Sequence, residues 1–408
     1  YNLRQESSRR IEIMKVSSWL LPVAFLTSYG VAASAEQALK DSTVKFNFRY
    51  RLEQANPDNS QETALASTLR SRISIQTGKW QFTENQSLKA LVEYDNVTNL
   101  GGETYNSTVN GNSSYATIAD PNGTDLNQVA LQYAYTKGGQ VTIGRQRLNL
   151  LNQRFIGSVG WRQNEQTFDG LRVEQQLSDN WQIDVASLHN ANRVFGPEGS
   201  AADLHGRFNV AHLNWAIAPK HSASAFYYDT DYDTLLSRSS NTTGVDYQGE
   251  QNAWKWQLSA ARQLDAHAAT NNYQLNYHRL ETSYKLQKLT FKVWQERLAS
   301  DGTNAFQTPF ATLHAFQGFA DMFLTTPTQG IRENALQVGY PVMGVKSTLS
   351  YHQFDADVGS AKLGSEIDAT ASYDISESLQ MMAKLAFYQA DTYQVDTNKV
   401  WLMFSYQL

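Results

Sequence analysis

The 408-residue chain contains no cysteine and only eight prolines. Without thiols there are no disulfides, no thiolate metal sites and no sulfur nucleophile. Lysine and arginine together number 34 against 39 acidic residues, without a polybasic run, so the footprint of a nucleic-acid binder is missing and no nucleic acid is expected as partner. Long hydrophobic runs are also lacking: beyond residue 35 nothing approaches the roughly 20 apolar residues that a membrane helix needs. What abounds is aromatic, with 18 Phe, 9 Trp and 21 Tyr. Such a composition excludes a disordered chain, and one large β unit of this length is allowed.

From Met14 the chain reads Met-Lys-Val-Ser-Ser-Trp-Leu-Leu-Pro-Val-Ala-Phe-Leu, then ends a small-residue stretch at Ala33-Ser34-Ala35. One Lys, a short apolar segment and an Ala-x-Ala site read as a secretory signal peptide over 14–35. A transmembrane anchor would need a longer run than Trp19 to Leu26 supplies. Residues 1–13 then read as translated upstream sequence, and 36–408 as a single domain.

Through that domain the period is two. Val44, Phe46, Phe48, Tyr50 and Leu52 alternate with Lys45, Asn47, Arg49, Arg51 and Glu53; Leu69, Ile73 and Ile75 oppose Arg70, Arg72 and Ser74. Each such segment has an oily face and a charged one. A soluble β-sandwich alternates too. Two features separate the cases: aromatics gather near strand ends (Trp80, Phe82, Tyr94, Tyr133, Trp181, Trp215, Tyr351, Tyr373), and short turns alternate with long polar loops. Short connections fall at Thr83–Gln86, Lys137–Gly139, Ser178–Asn180, Ala218–Lys220, Tyr340–Met343 and Ile375–Ser378, long ones near 96–125, 148–166, 189–206 and 298–330. This is the pattern of a transmembrane antiparallel up-and-down β-barrel with short periplasmic turns and long extracellular loops, in a Gram-negative outer membrane.

Seventeen strands would leave the segments near 253–263 and 273–286 running the same way, which a meander forbids. An added strand over Thr243, Val245 and Tyr247, turning near Glu250 into the Trp254 strand, brings the number to about 18 and both ends to one side. The last segment places Val400, Leu402, Phe404, Tyr406 and Leu408 on one parity and Trp401, Met403 and Ser405 on the other. It resembles the signal read by the barrel assembly machinery of bacterial outer-membrane proteins, and outer-membrane lipids and lipopolysaccharide would surround the product.

Eighteen strands enclose a lumen that side chains alone cannot fill, so water should remain in it. By parity the inner face carries Lys45, Arg49, Arg51, Arg70, Arg72, Arg172, Arg279, Lys292 and His352, opposed by Glu53, Glu93, Asp95, Glu296, Glu366, Asp368 and Asp374. An arginine arc would attract an anionic sugar while neighbouring acids prevent it from sticking. The plainer alternative is a non-specific porin whose two charge signs merely solvate the lumen and anchor loops.

Strict alternation points Arg145 and Arg147 at lipid along with Val141 and Ile143, at about 2 to 4 kcal/mol each near the midplane. Either Gly144 starts a bulge or the strand leaves the membrane there. Here Gly144-Arg-Gln, the loop Asn152-Gln-Arg-Phe-Ile-Gly and then Trp161-Arg-Gln-Asn-Glu-Gln-Thr-Phe-Asp resemble the alginate export family of outer-membrane porins, as does Thr308-Pro-Phe-Ala-Thr-Leu-His-Ala-Phe-Gln-Gly-Phe-Ala-Asp-Met-Phe. The resemblance implies a monomeric eighteen-stranded pore passing an anionic polysaccharide or oligosaccharide of the uronate type through an arginine-rich constriction. It places Arg145, Arg154, Arg162 and Arg172 on the pathway.

In the second block Phe310, Leu313, Phe316, Phe319, Met322 and Phe323 fall near helical spacing, so a short amphipathic helix is expected, supporting a lid rather than gating. Other signals fail. Asp229, Asp231 and Asp233 open like a calcium loop, but Thr234 and Ser240 replace the Gly and Glu it requires. Asn96, Asn106, Asn112, Asn122 and Asn241, in N-x-S/T patterns, are read as turn formers, and the eight His show no metal spacing. With no serine-hydrolase elbow, zincin helix or P-loop, the expectation is a non-enzyme without cofactor. A barrel lipid hydrolase would need a Ser–His pair at the lipid boundary, and none is identifiable.

Overall fold

The computed structural model describes residues 28–408. The upstream segment and the first part of the leader, 1–27, lie outside the described residues, and 28–35 begin helix α1 (Ser28–Lys40). Nineteen strand segments follow: β1 (Thr43–Pro57), β2 (Ala64–Gln76), β3 (Trp80–Thr83), β4 (Gln86–Asn99), β5 (Gly123–Thr136), β6 (Gly139–Gln146), β7 (Thr167–Gln176), β8 (Trp181–Asn192), β9 (Asp203–Ala218), β10 (His221–Tyr232), β11 (Ser240–Gln251), β12 (Trp254–Asp265), β13 (Gln274–Leu286), β14 (Leu289–Leu298), β15 (Ile331–Val342), β16 (Val345–Asp355), β17 (Lys362–Asp374), β18 (Leu379–Ala390) and β19 (Thr397–Gln407). Neighbours in sequence pair antiparallel, and β19 returns to β1 in a register that sets Tyr50 opposite Phe404. β3 continues the line of β2, since both pair with β4, one ending at Gln76 opposite Leu91 and the other resuming at Trp80 opposite Leu88. The barrel therefore closes with eighteen spanning strands. The strand inferred over 243–247 is β11.

Alternation sets the two faces. Val44, Ile75, Leu131, Ile143, Leu280 and Leu336 are exposed on the outside, while their neighbours Arg51, Arg72, Thr142 and Arg279 are buried within. Aromatic pairs flank the outer band, as where Trp181 stacks on Trp215 with centroids 5.2 Å apart. Periplasmic connections are tight. At Met343 and Gly344 two successive positive φ values, 50° and 84°, make the turn whose twist matches its flanking strands.

At Gly144 the register to both β5 and β7 is unbroken, so no bulge forms. Its φ of 118° and the carbonyl of Val129, 2.2 Å from where a Cβ would stand, nonetheless require glycine. β6 ends at Gln146, Arg145 keeps the outward parity of exposed Ile143, and Arg147 turns inward from the loop beyond.

The hydrophobic core sits inside the barrel. Leu148, Phe155 and Ile156 from the 147–166 loop, with Phe306, Phe310 and Phe323 from the 299–330 loop, pack on wall residues Phe168, Phe208, Phe226, Tyr277 and Phe354. Phe155 meets Tyr277 edge-on at 5.1 Å and Phe310 meets Phe208 at 4.9 Å. The late loop is not the expected amphipathic helix. Only Leu313–Ala315 makes a single 3-10 turn. Beyond isolated tight turns such as Ala315 N to Thr312 O (3.0 Å), its backbone bonds to the other loop, through Gly157 N to Phe310 O (2.9 Å) and Thr312 N to Gln153 O (3.0 Å). Positive φ at Gln317, Gly318 and Asp321 prevents propagation. Burial of Phe310, Phe316 and Phe323 survives because the wall, rather than helical periodicity, gathers them.

Leu336, half exposed and outward, and Gln337, inward beside Lys292, separate the two faces by one residue. Leu336→Arg should destabilise the folded barrel by up to about 2–4 kcal/mol in lipid refolding titrations. Gln337→Arg should leave it within about 0.5 kcal/mol. Equal costs would contradict the assigned orientation.

Candidate functional site

Parity delivers arginines to the lumen from adjacent strands, and three inward loops deliver their partners. From the 100–122 loop, Asp120 accepts from Arg51 at 3.0 Å. The 147–166 loop runs across β1 and β2: Arg49 donates to Gln163 Oε1 (3.0 Å), to Gly160 O (2.8 Å) and to the carbonyl of Arg162. Arg51 donates to the carbonyl of Trp161 and lies 4.3 Å over that ring. Arg72 grips Asp95 (2.6 Å) and Glu165 (2.9 Å), Arg70 reaches Glu165 at 3.4 Å, and Arg147 bonds both Glu165 and Glu93. Burial opposes ionisation of Glu165, but Arg72, Arg147 and Arg70 outweigh it and hold the carboxyl well below its usual range. An arc of six arginines, Arg49, Arg51, Arg70, Arg72, Arg147 and Arg162, is thus fastened to one side of the pore. Arg49 alone among them binds only neutral acceptors.

The opposite wall holds the late loop. Arg154 donates to Glu296 (2.6 Å) and Thr308 (2.8 Å), and Gln317 reaches the same Glu296 at 3.0 Å. The amide of Ala320 donates to Glu366 (2.7 Å) and that of Phe319 to Asp368 (3.2 Å). Acids that the sequence placed opposite the arginines, Glu296, Glu366 and Asp368, therefore anchor the loops.

Between the two sides the loops clasp each other. Trp161 stacks on His314 at 4.3 Å, with planes 6° apart. Arg162 bridges Glu53 (3.1 Å) and Asp321 (3.1 Å). His314 Nδ1 lies 2.7 Å from Asp321 Oδ1, and the Lys384 ammonium donates to Nε2 at 2.7 Å. That pattern needs a neutral ring with its proton on Nδ1. Burial pushes the His314 ring down to about 3, Asp321 opposing and Lys384 adding to the depression. Burial also resists charge on Asp321, but His314, Lys399 and Arg162 hold its carboxyl well below the usual range.

Above this clasp lies a cavity of about 670 Å³. Its charged lining is uneven: Arg154, Arg162, Arg193, Arg238 and Lys399 face one carboxylate, Asp321.

Of the residues assigned to the pathway from sequence, Arg49, Arg51, Arg70, Arg72, Arg154 and Arg162 converge at the constriction. Three stand apart. Arg145 shares the parity of exposed Ile143 and is neutralised by Asp169 directly opposite (2.8 Å) and Asp125 (3.5 Å). Arg172 pairs with Asp184 (2.6 Å) and Lys292 with Glu281 (2.7 Å), each with its strand neighbour. Sequence reasoning missed Lys384 and Lys399, although each shares an inward parity, the latter with Trp401 and Met403. It also missed Arg147, Arg193, Arg238, Asp120, Glu165 and Asp321 as site residues; these lie off the strands, where no period exists to place them.

The model of the alginate export family matches residues 41–300. No curated protein matches the chain. Among solved structures, Pseudomonas aeruginosa OccK9 (OpdG) superimposes with a TM-score of 0.72 at 13% identity, covering 91% of this chain and 99% of its own. Acinetobacter baumannii OccAB1 gives 0.70 at 12%, covering 91% and 97%. Pseudomonas aeruginosa OpdK, solved with vanillate, gives 0.68 at 13%, covering 91% and 99%. At such identities the likeness is one of fold.

The depressed His314 sets a pH dependence for the clasp. Packed, the ring takes a proton only near pH 3; freed, it would do so near 6.5. Acidification through that window stabilises the opened loops, by at most about tenfold per pH unit. Single-channel conductance or open-channel noise should therefore rise between pH 7 and 4, and His314→Gln should flatten the profile. An unaltered profile in that variant would exclude His314 as the titrating group.

Proposed function

The chain belongs to the alginate export family, and from that premise we propose that this outer-membrane porin of a Gram-negative bacterium lets anionic, uronate-type saccharides diffuse through its lumen. The observation that carries the anionic reading is the cavity above the loop clasp, where five cationic side chains meet one carboxylate. A carboxylate-bearing sugar entering there exchanges water for guanidinium forks that bind it bidentately. Deeper in, Glu53, Glu93, Asp95 and Glu165 already occupy the arginines of the arc. A passing carboxylate must compete with them, so each contact is weak enough to release. Flux follows the concentration gradient, with no bond made or broken and no cofactor engaged, and a monomer provides the whole route.

In planar lipid bilayers with a salt gradient, the reversal potential should show preference for chloride over potassium. Uronate trimers should reduce the current at concentrations where neutral glucan trimers do not. Cation preference together with indifference to uronates would overturn the proposal and leave the barrel untouched.

A further inference from the structure

The five cations of the upper cavity are not equivalent. Arg154 is held by Glu296 at 2.6 Å, Arg162 by Glu53 and Asp321 at 3.1 Å each, and Lys399 by Asp321 at 3.3 Å. The guanidinium groups of Arg193 and Arg238 take part in no hydrogen bond or ion pair among the described residues. Arg193 follows the extracellular end of β8, and Arg238 closes the 3-10 turn Leu236–Arg238 between β10 and β11. Both line the same cavity. Elsewhere in this lumen nearly every arginine that the wall buries has been given an acceptor, which makes half-buried Arg193 informative; Arg238, exposed on its turn, lines the same cavity.

We infer that Arg193 and Arg238, with Phe195 and Tyr273 beside them, form a carboxylate-binding subsite for an acidic saccharide at the outer mouth of the pore. This deepens the anionic-saccharide reading and rests on it. Arg193 is placed in advance of any ligand: its backbone amide donates to Ala202 O at 2.6 Å, Val194 is buried, and its guanidinium lies 5.5 Å over the Phe195 ring. The neighbouring Tyr232 hydroxyl is buried without a partner. Burial lowers the proton affinity of Arg193; Tyr232 opposes that shift, and repulsion from Arg238 adds to it. Two like charges, one half-buried and neither with an acceptor, make an arrangement that an arriving oxyanion relieves, since a carboxylate supplies both lone-pair edges that guanidinium forks seek. Asn271, fixed by its bond to Ser237 O at 3.2 Å, and Ser240 line the same wall and suit sugar hydroxyls, while the rings of Phe195 and Tyr273 suit the apolar face of a pyranose. Because the pair faces the cavity rather than the lipid-facing wall, a saccharide carboxylate is favoured over a lipid phosphate.

The test is block of the full-length porin in planar bilayers by uronate trimers, scaled to each variant's own open-channel current, with folding judged by heat-modifiable gel mobility. Arg193→Gln/Arg238→Gln should raise the half-blocking concentration about tenfold or more, and Arg193→Lys/Arg238→Lys, which keeps the charge and loses the fork, should fall between. Should the double variant not fold, Arg238→Gln alone, in an exposed turn, should raise it about threefold. Equal block of parent and variants would overturn the subsite while leaving an anionic-saccharide pore in place. Absence of block in the parent would overturn both.

Discussion

Hydrocarbon offers a backbone no hydrogen bonds, so a sheet inserted in it must leave no unpaired edge. Everything else in this molecule follows from the return of β19 onto β1, where Tyr50 faces Phe404 and Arg51 faces Met403 across the seam. Closure over eighteen spanning strands dictates that alternate side chains meet lipid and lumen. It also sets a circumference too large for the inward side chains to fill.

The empty width creates a second problem, answered by the long loops. Those of 147–166 and 299–330 fold inward, and their aromatic residues build with the wall a core that would elsewhere lie between two sheets. Bringing charged walls and apolar loops together removes water from arginines and carboxylates alike, and an uncompensated charge there costs several kcal/mol. Pairing is therefore dense: Glu165 serves Arg70, Arg72 and Arg147, and Asp321 serves Arg162, His314 and Lys399. The many acids of the inner face do not argue against an anionic cargo, because they are engaged in holding the constriction. Above the clasp the cations outnumber the acids, and there Arg193 and Arg238 lack such partners.

This division explains what could be read in advance. Arg49, Arg51, Arg70 and Arg72 were found by parity alone, because a strand's period of two leaves no freedom about which face a residue takes. Arg154 and Arg162 were placed by resemblance, since a loop has no period. Arg145 illustrates the limit of motif transfer: it sits within the matching block, yet Asp169 across the strand pair claims it on the outward side. The late loop shows the converse. Its apolar spacing near 3.6 was genuine, but it recorded residues that the wall would bury and not a helix, because the backbone makes only isolated tight turns and otherwise bonds to the 147–166 loop.

From the residues alone came the barrel, its alternation of short and long connections, the strand over 243–247 and the inward identity of most wall charges, all consequences of local periodicity and of the ban on unpaired backbone in lipid. Tertiary structure alone decided which loops enter the lumen, that Trp161 and His314 lock them together, and which arginines are left without a carboxylate. Those outcomes depend on contacts between segments more than a hundred residues apart, such as Arg49 with Gln163 and Arg162 with Asp321. Such contacts are set by the curvature of the closed wall, and no pattern along the chain encodes them.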